Sequence, residues 1–155
     1  MRPIGQGPAV EGNRPYATVS LHSRKLSPMT DRKRVSSGSP FEPIIGFSRA
    51  TKVGDQVYVS GTGPVWPDGS CDEDPAVQAR RCLEIIDEAL ALLGAGLEDV
   101  VRTRIYLTDA GDIDAIGPVH AEFFGEVRPA ATAVVVAGLL DPRWKVEIEA
   151  DALLG

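Results

Sequence analysis

Histidine, cysteine and tryptophan each occur only twice in 155 residues, and aromatic residues make up 6% of the chain. Cys71 and Cys82 show no CxxC spacing and have few histidines near them, so no metal-ligand pattern can be drawn. The two thiols read as free in a reducing compartment, and neither has the His or Asn context of a cysteine nucleophile. No apolar run approaches the roughly 20 residues that a membrane helix needs. The N-terminus lacks an apolar stretch after its first basic residues, so a secretory signal is not expected and a cytoplasmic address follows. A Walker-type loop, a Rossmann fingerprint and a nucleophile elbow are also missing. Gly61-Thr62-Gly63 is a GxG after a strand, but it lacks a third glycine and leads into no helix. No metal, cofactor or membrane partner is expected.

What is present is a chain with 43% hydrophobic residues, enough for one core of ordinary size. Its net charge of −6 is unevenly spread. Residues 1–34 hold seven Lys/Arg and two acids, and residues 35–155 hold nine Lys/Arg and twenty acids. Phosphate backbones are bound through clustered positive charge, so a domain this acidic argues against nucleic acid as its ligand. The basic cluster Arg32-Lys33-Arg34 reads as part of a solvated tail.

Residues 1–40 are rich in Pro, Gly, Ser and Arg without a sustained period, and are expected to form a disordered or flexible extension, with Met29 a candidate start of translation. The domain is expected over residues 41–155. Phe47 to Val53 and Gln56 to Ser60 read as a hairpin across Gly54-Asp55. Asp74 before Pro75 is a helix start, and the stripe of Cys82, Ile85, Ile86, Ala89, Leu90 and Leu93 runs to a stop at Gly94, with Gln78 the polar exception. Val101, Thr103, Ile105 and Leu107 alternate with Arg102, Arg104 and Tyr106 as a strand. Asp112 is expected to cap a second helix, with Ile113, Ile116, His120, Phe123 and Phe124 on one side. Ala131 to Ala137 is a β-branched run, and Trp144 to Ala150 a last strand with Val146 and Ile148 inward. The order ββαβαββ predicts an α+β fold, a mixed sheet with two helices packed on one face. Its bare second face predicts an oligomer.

The informative elements are Val57 to Thr62, Gln78-Ala79-Arg80, Val100 to Leu107, Pro129 to Thr132 and Val146 to Ala152. Over about residues 44–152 they resemble, in order and spacing, the RidA family (YjgF, translation inhibitor, endoribonuclease L-PSP). That resemblance implies a chorismate-mutase-like fold, a homotrimer, and clefts between subunits that bind small keto, imino or enamino acids. It matches the family's water-positioning glutamate to Glu147, its strand-end pocket to Ser60, Gly61 and Thr62, and its P-A-R-[ST] element to Pro129 to Thr132, with Ala131, Thr132 and Ala133 as candidate substrate-binding residues. The arginine that holds a substrate carboxylate is replaced by Ala131, and a family tyrosine by Phe47. Losing a bidentate charge-assisted pair costs on the order of 2–5 kcal/mol. Arg128, Arg49 and Arg104 are the candidates for a relocated anion contact, with solvated or ion-paired arginines as the alternative. His120, on the apolar side of the second helix, is a further candidate substrate contact or a core histidine.

Two functions fit these residues. One is an enamine or imine deaminase-type hydrolase acting on something other than a simple 2-imino acid, with Glu147 as its catalytic group. The other is a non-catalytic metabolite-binding or regulatory trimer. Ribonuclease activity is disfavoured by the acidic domain.

Overall fold

A computed structural model describes residues 31–155. The expectations for residues 1–30, including Met29 as a start, lie outside them. Six strands form one mixed sheet: β1 (Arg32–Val35), β2 (Ala50–Val53), β3 (Gln56–Thr62), β4 (Val100–Leu107), β5 (Ala130–Val135) and β6 (Val146–Leu153). Three helices accompany it, α1 (Phe41–Ile45), α2 (Pro75–Ala91) and α3 (Ile113–Phe124). The sheet order is β1-β2-β3-β6-β4-β5, with only the β4–β5 pair parallel. The expected α+β layout holds, with α2 and α3 as the helix layer.

The first departure is at the N-terminal end, where β1 and α1 occupy residues expected to belong to the extension or to an irregular entry. Arg32, Lys33 and Arg34 are exposed on an edge strand paired with β2. Charge is what protects an edge from adding further strands, so a basic run is at home there and carries no hydrophobic alternation to reveal it. A second departure concerns Val101, expected inward and 48% exposed. The β4–β6 register shifts between Val100 and Arg102, and this irregularity puts Val100 in the core, followed by Thr103, Ile105 and Leu107. Asp112 makes no side-chain cap; the Asp109 carboxylate accepts from the Gly111 N–H at 2.7 Å and caps the short 3₁₀ turn that leads into α3.

The helix layer follows the expected stripe. Asp74 accepts from the Ala76 N–H at 2.7 Å with Pro75 at the first helical position, and Gly94 takes the left-handed conformation at φ +74°. Cys82, Leu83, Ile86, Ala89 and Leu90 are buried against Val57, Val59, Ile105, Val146 and Ile148 in one core. Leu83 takes the place that the sequence reading gave to Ile85, which is only half-buried.

Gln78 explains its own presence on the apolar stripe. Fully buried, it donates from Nε2 to the Asp72 carbonyl (2.6 Å) and the Arg143 carbonyl (3.0 Å), and accepts from the Lys145 N–H at 2.7 Å. One amide thereby ties the lead into α2 to the lead into β6. Gly63 has a comparable steric role, since a Cβ there would lie 2.5 Å from the Trp144 ring. Replacing Gln78 by Leu removes all three bonds and leaves part-buried backbone groups without this partner, so urea unfolding should show a loss of about 2–4 kcal/mol with the slope unchanged.

Candidate functional site

β6 lies inside the sheet, and its burial alternates. Val146, Ile148, Ala150 and Ala152 face the helices, and Glu147, Glu149 and Asp151 fall on the other face. Three carboxylates on one face of a single strand repel one another unless cations are supplied. Arg104 of β4 supplies one, at 2.7 Å from Glu149 and 3.5 Å from Asp151, and the Tyr106 hydroxyl donates to Glu149 at 3.1 Å. Arg104 is thus consumed within its own chain.

Glu147 is served differently. Half-buried, it accepts no hydrogen bond from a described residue, and it lies against the backbone of Gly61 so closely that a Cβ there would fall 2.2 Å from its Oε1. That approach depends on β3. Val59 pairs with Ala150 and Thr62 with Ile148, so Ser60 and Gly61 form a bulge with one residue more than the partner strand has. Arg49, in the segment before β2, holds the bulge: its Nη1 donates to Thr62 Oγ1 (2.5 Å), the Gly61 carbonyl (3.1 Å) and the Ser60 carbonyl (3.4 Å). Ser60 Oγ donates to the Ser48 carbonyl at 2.8 Å, and Thr62 Oγ1 to the Ser60 carbonyl at 2.8 Å. Phe47 sits half-buried at the start of this segment, its N–H donating to the Glu42 carbonyl at 3.2 Å.

Burial pushes the Glu147 carboxyl above its ordinary value; the Arg49 charge pulls it back and Glu149 adds to the upward push. Burial lowers the Arg49 guanidinium, offset by Glu42 and Glu147. Burial also pushes the Cys82 thiol far upward, so it stays a thiol.

The candidates therefore divide. Arg49, Ser60, Gly61, Thr62 and Glu147 come together, and Phe47 lies two residues before Arg49. Ala131 and Ala133 pair with Thr103 and Ile105, which face the helices, and so fall on the sheet face opposite Glu147. Two strand spacings, about 10 Å, also separate β5 from β6. Thr132 pairs with Arg104 on the carboxylate side. His120 is on the helix side, its Nε2 3.0 Å from the Oγ1 of buried Thr103 and its ring 4.7 Å from that of Phe124. Burial lowers its pKa, which keeps the imidazole neutral at pH 7. Arg128 is exposed, with φ +51° and its Nε donating to the Gly125 carbonyl at 3.0 Å, and it closes the turn after α3. Sequence reading missed Glu42, a buried carboxylate whose charge acts on Arg49. Its only signal was an acid in an otherwise apolar turn.

Two shallow depressions are present. One, of about 570 Å³, is lined by residues including Cys71, Asp109, Asp112, Arg143 and Trp144. The other, of about 360 Å³, includes Tyr58, Arg102, Asp151 and Leu153. Glu147 lines neither. Among the described residues no group of three or more His, Cys, Asp or Glu is placed to hold a metal ion, and no helix is long and apolar enough to cross a membrane.

The sequence profile of the Endoribonuclease L-PSP family matches residues 38–154. A protein of Streptomyces coelicolor is 43% identical over 124 residues, which cover 79% of this chain and 92% of that one. The 3-aminoacrylate deaminase RutC of Acinetobacter baylyi is 40% identical over 113 residues, 72% of this chain and 88% of that one. Among solved structures, a Mycobacterium tuberculosis member of the YjgF/YER057c/UK114 family superposes with a TM-score of 0.74 at 46% identity, covering 79% of this chain and 99% of that one.

The position of Glu147 generates two expectations. Gly61→Ala should cost less than about 1 kcal/mol, because a flexible carboxylate can swing away, yet displace that carboxylate; denaturation and a crystal structure of the variant check both. The folded Glu147 binds its proton more tightly than the unfolded one, so folding stability falls as pH rises from the ordinary 4.5 through the folded value, and is flat above it. Glu147→Gln should therefore have a higher Tm than the parent at pH 7, with the difference closing below pH 4 in thermal scans.

Proposed function

This chain belongs to the Endoribonuclease L-PSP (YjgF/RidA) family, and from that premise we propose that it binds a small organic metabolite in clefts between three copies of itself and hydrolyses an enamine or imine there. The observation that carries this reading is Glu147: a half-buried carboxylate without a hydrogen-bond donor among the described residues, pushed above its ordinary range by burial, against a strand bulge. A carboxyl with no donor of its own, made more basic by burial, is suited to take a proton from water and return it. The A. baylyi relative's name, a deaminase of an enamine, agrees with it.

The chemistry balances without a cofactor. A proton added to the enamine carbon gives an iminium. Glu147 takes a proton from water as its oxygen bonds to the iminium carbon. The resulting carbinolamine is protonated on nitrogen, the C–N bond breaks with its electron pair leaving on ammonia, and loss of the hydroxyl proton leaves the carbonyl product. Backbone N–H groups near Gly61 and Thr132 are suited to hold the water and the developing charge.

The trimer is supported by β5. All six of its residues are exposed, including Val134 at 43% and Val135 at 56%, which is unusual for an apolar strand with nothing to cover it. Ala131 and Glu147 occupy opposite faces of one sheet, so a cleft using both draws them from two chains. With Ala131 where the family's carboxylate-binding arginine stands, the ligand is less acidic than a 2-imino acid. Two free thiols fit a reducing cytoplasm. The same Ala131 also favours a second reading, a binding or regulatory trimer without turnover. The acidic domain speaks against RNA as the substrate, despite the family's name.

Aminoacrylates generated in situ, with ammonia release followed, test the hydrolase. Glu147→Gln should lower kcat/KM about 10²–10⁴-fold with the fold intact. Ala131→Arg should increase turnover of 2-iminobutyrate at least tenfold over the parent. Absence of turnover in the parent at high enzyme concentration would leave the binding trimer. A monomer by light scattering at micromolar concentration would remove the inter-subunit cleft.

A further inference from the structure

The proposed hydrolase uses Glu147, but it leaves unexplained why a second carboxylate, Glu42, is buried nearby. Glu42 is 9% exposed and is enclosed by the segment just after β1. It accepts from Ser36 Oγ (2.5 Å), the Ser37 N–H (2.7 Å) and Ser37 Oγ (2.7 Å), bonds that hold it below the ordinary carboxylate range. Its charge faces Arg49, whose Nη1 is spent on the bulge and whose Nε is buried without an acceptor. A guanidinium bonded to the bulge and drawn electrostatically toward Glu42 has little freedom to turn outward to a ligand.

We infer that Arg49 is a positioning residue for Glu147: pinned to the Ser60–Thr62 bulge and counterbalanced by Glu42, it fixes both the place and the charge state of that carboxylate. The inference rests on the hydrolase reading for its use, but not for its physics. The groups around Glu147 are few. Arg49 is the cation, Glu149 the neighbouring anion on the same strand, already paired with Arg104, and Tyr106 from β4 and Cys82 from α2 are both pushed upward and so uncharged at neutral pH. Arg49 is therefore the group that opposes the effect of burial on Glu147. Glu42 bears on Glu147 only through its charge coupling to Arg49, and by partly offsetting that cation it should raise the proton affinity of Glu147.

Isotope-detected NMR titration of the Glu147 carboxyl in the full chain, assigned with Glu147→Gln, reads this directly. The midpoint should move up in Arg49→Met, stay near the parent's in Arg49→Lys, which keeps the charge while losing the fork, and move down in Glu42→Gln. The acid limb of the kcat/KM profile for aminoacrylate hydrolysis should move the same way, with at least a tenfold loss at pH 7 in Arg49→Met. A folded Arg49→Met with the parent's midpoint would overturn the inference, as would an unmoved midpoint in Glu42→Gln should Arg49→Met fail to fold. If the parent hydrolyses nothing, the hydrolase reading falls, and the titrations still decide the coupling between Arg49 and Glu147.

Discussion

Three carboxylates on one face of an inner strand set the terms for the rest of this molecule. β6 has to bury Val146, Ile148 and Ala150 on one side, and the period of two then puts Glu147, Glu149 and Asp151 on the other, within reach of each other's field. Placing charges so close on a sheet face is tolerable only where neighbouring strands bring cations. β4 answers with Arg104, which serves Glu149 and Asp151 together, and with the Tyr106 hydroxyl. The remaining carboxylate is left to Arg49, which reaches it only as a charge because its Nη1 is engaged on β3. Glu147 is thus distinguished from its two neighbours by incomplete neutralisation.

The bulge in β3 is the geometric counterpart of this electrostatic arrangement. A regular strand would present side chains where Glu147 lies; an extra residue and a missing Cβ at Gly61 let the carboxylate rest on backbone. A bulge leaves peptide groups out of the ladder, and buried peptide groups need partners. Arg49, Thr62 and Ser60 supply them. The same side chains that repair the strand therefore shape the site, which explains why polar residues cluster at the end of an otherwise apolar strand.

Much of this was legible from the sequence where period and caps speak clearly. Asp74-Pro75, Gly94, the α2 stripe and the Val146/Ile148 alternation were all read in place, and the motif order was enough to name the family. What escaped has a common physical cause: it depends on pairing that no local pattern encodes. Val101 follows the alternation perfectly and is exposed because β4 slips one residue against β6. Asp112 looks like a cap, but Asp109 does the capping because a 3₁₀ turn intervenes. β1 has no hydrophobic signal because an edge strand needs none. Glu42 looks like a surface acid until Ser36, Ser37 and Arg49 close around it. Ser60, Gly61, Thr62 and Glu147 were read as one group and do lie together, whereas Ala131 could be assigned to the opposite face only once the parallel β4–β5 register was known.

That register has a consequence for how the protein can change. β5 is bonded on one side only and contributes no side chain to the buried core of its own chain. Positions 131 and 133 can therefore exchange small for large or neutral for charged residues at little expense to the folding of the chain, whereas the helix-facing side chains of β6 are fixed by the core. The fold thus separates the strand that carries the carboxylates from a strand whose side chains the core leaves unconstrained, so sequence change on β5 can proceed without disturbing β6.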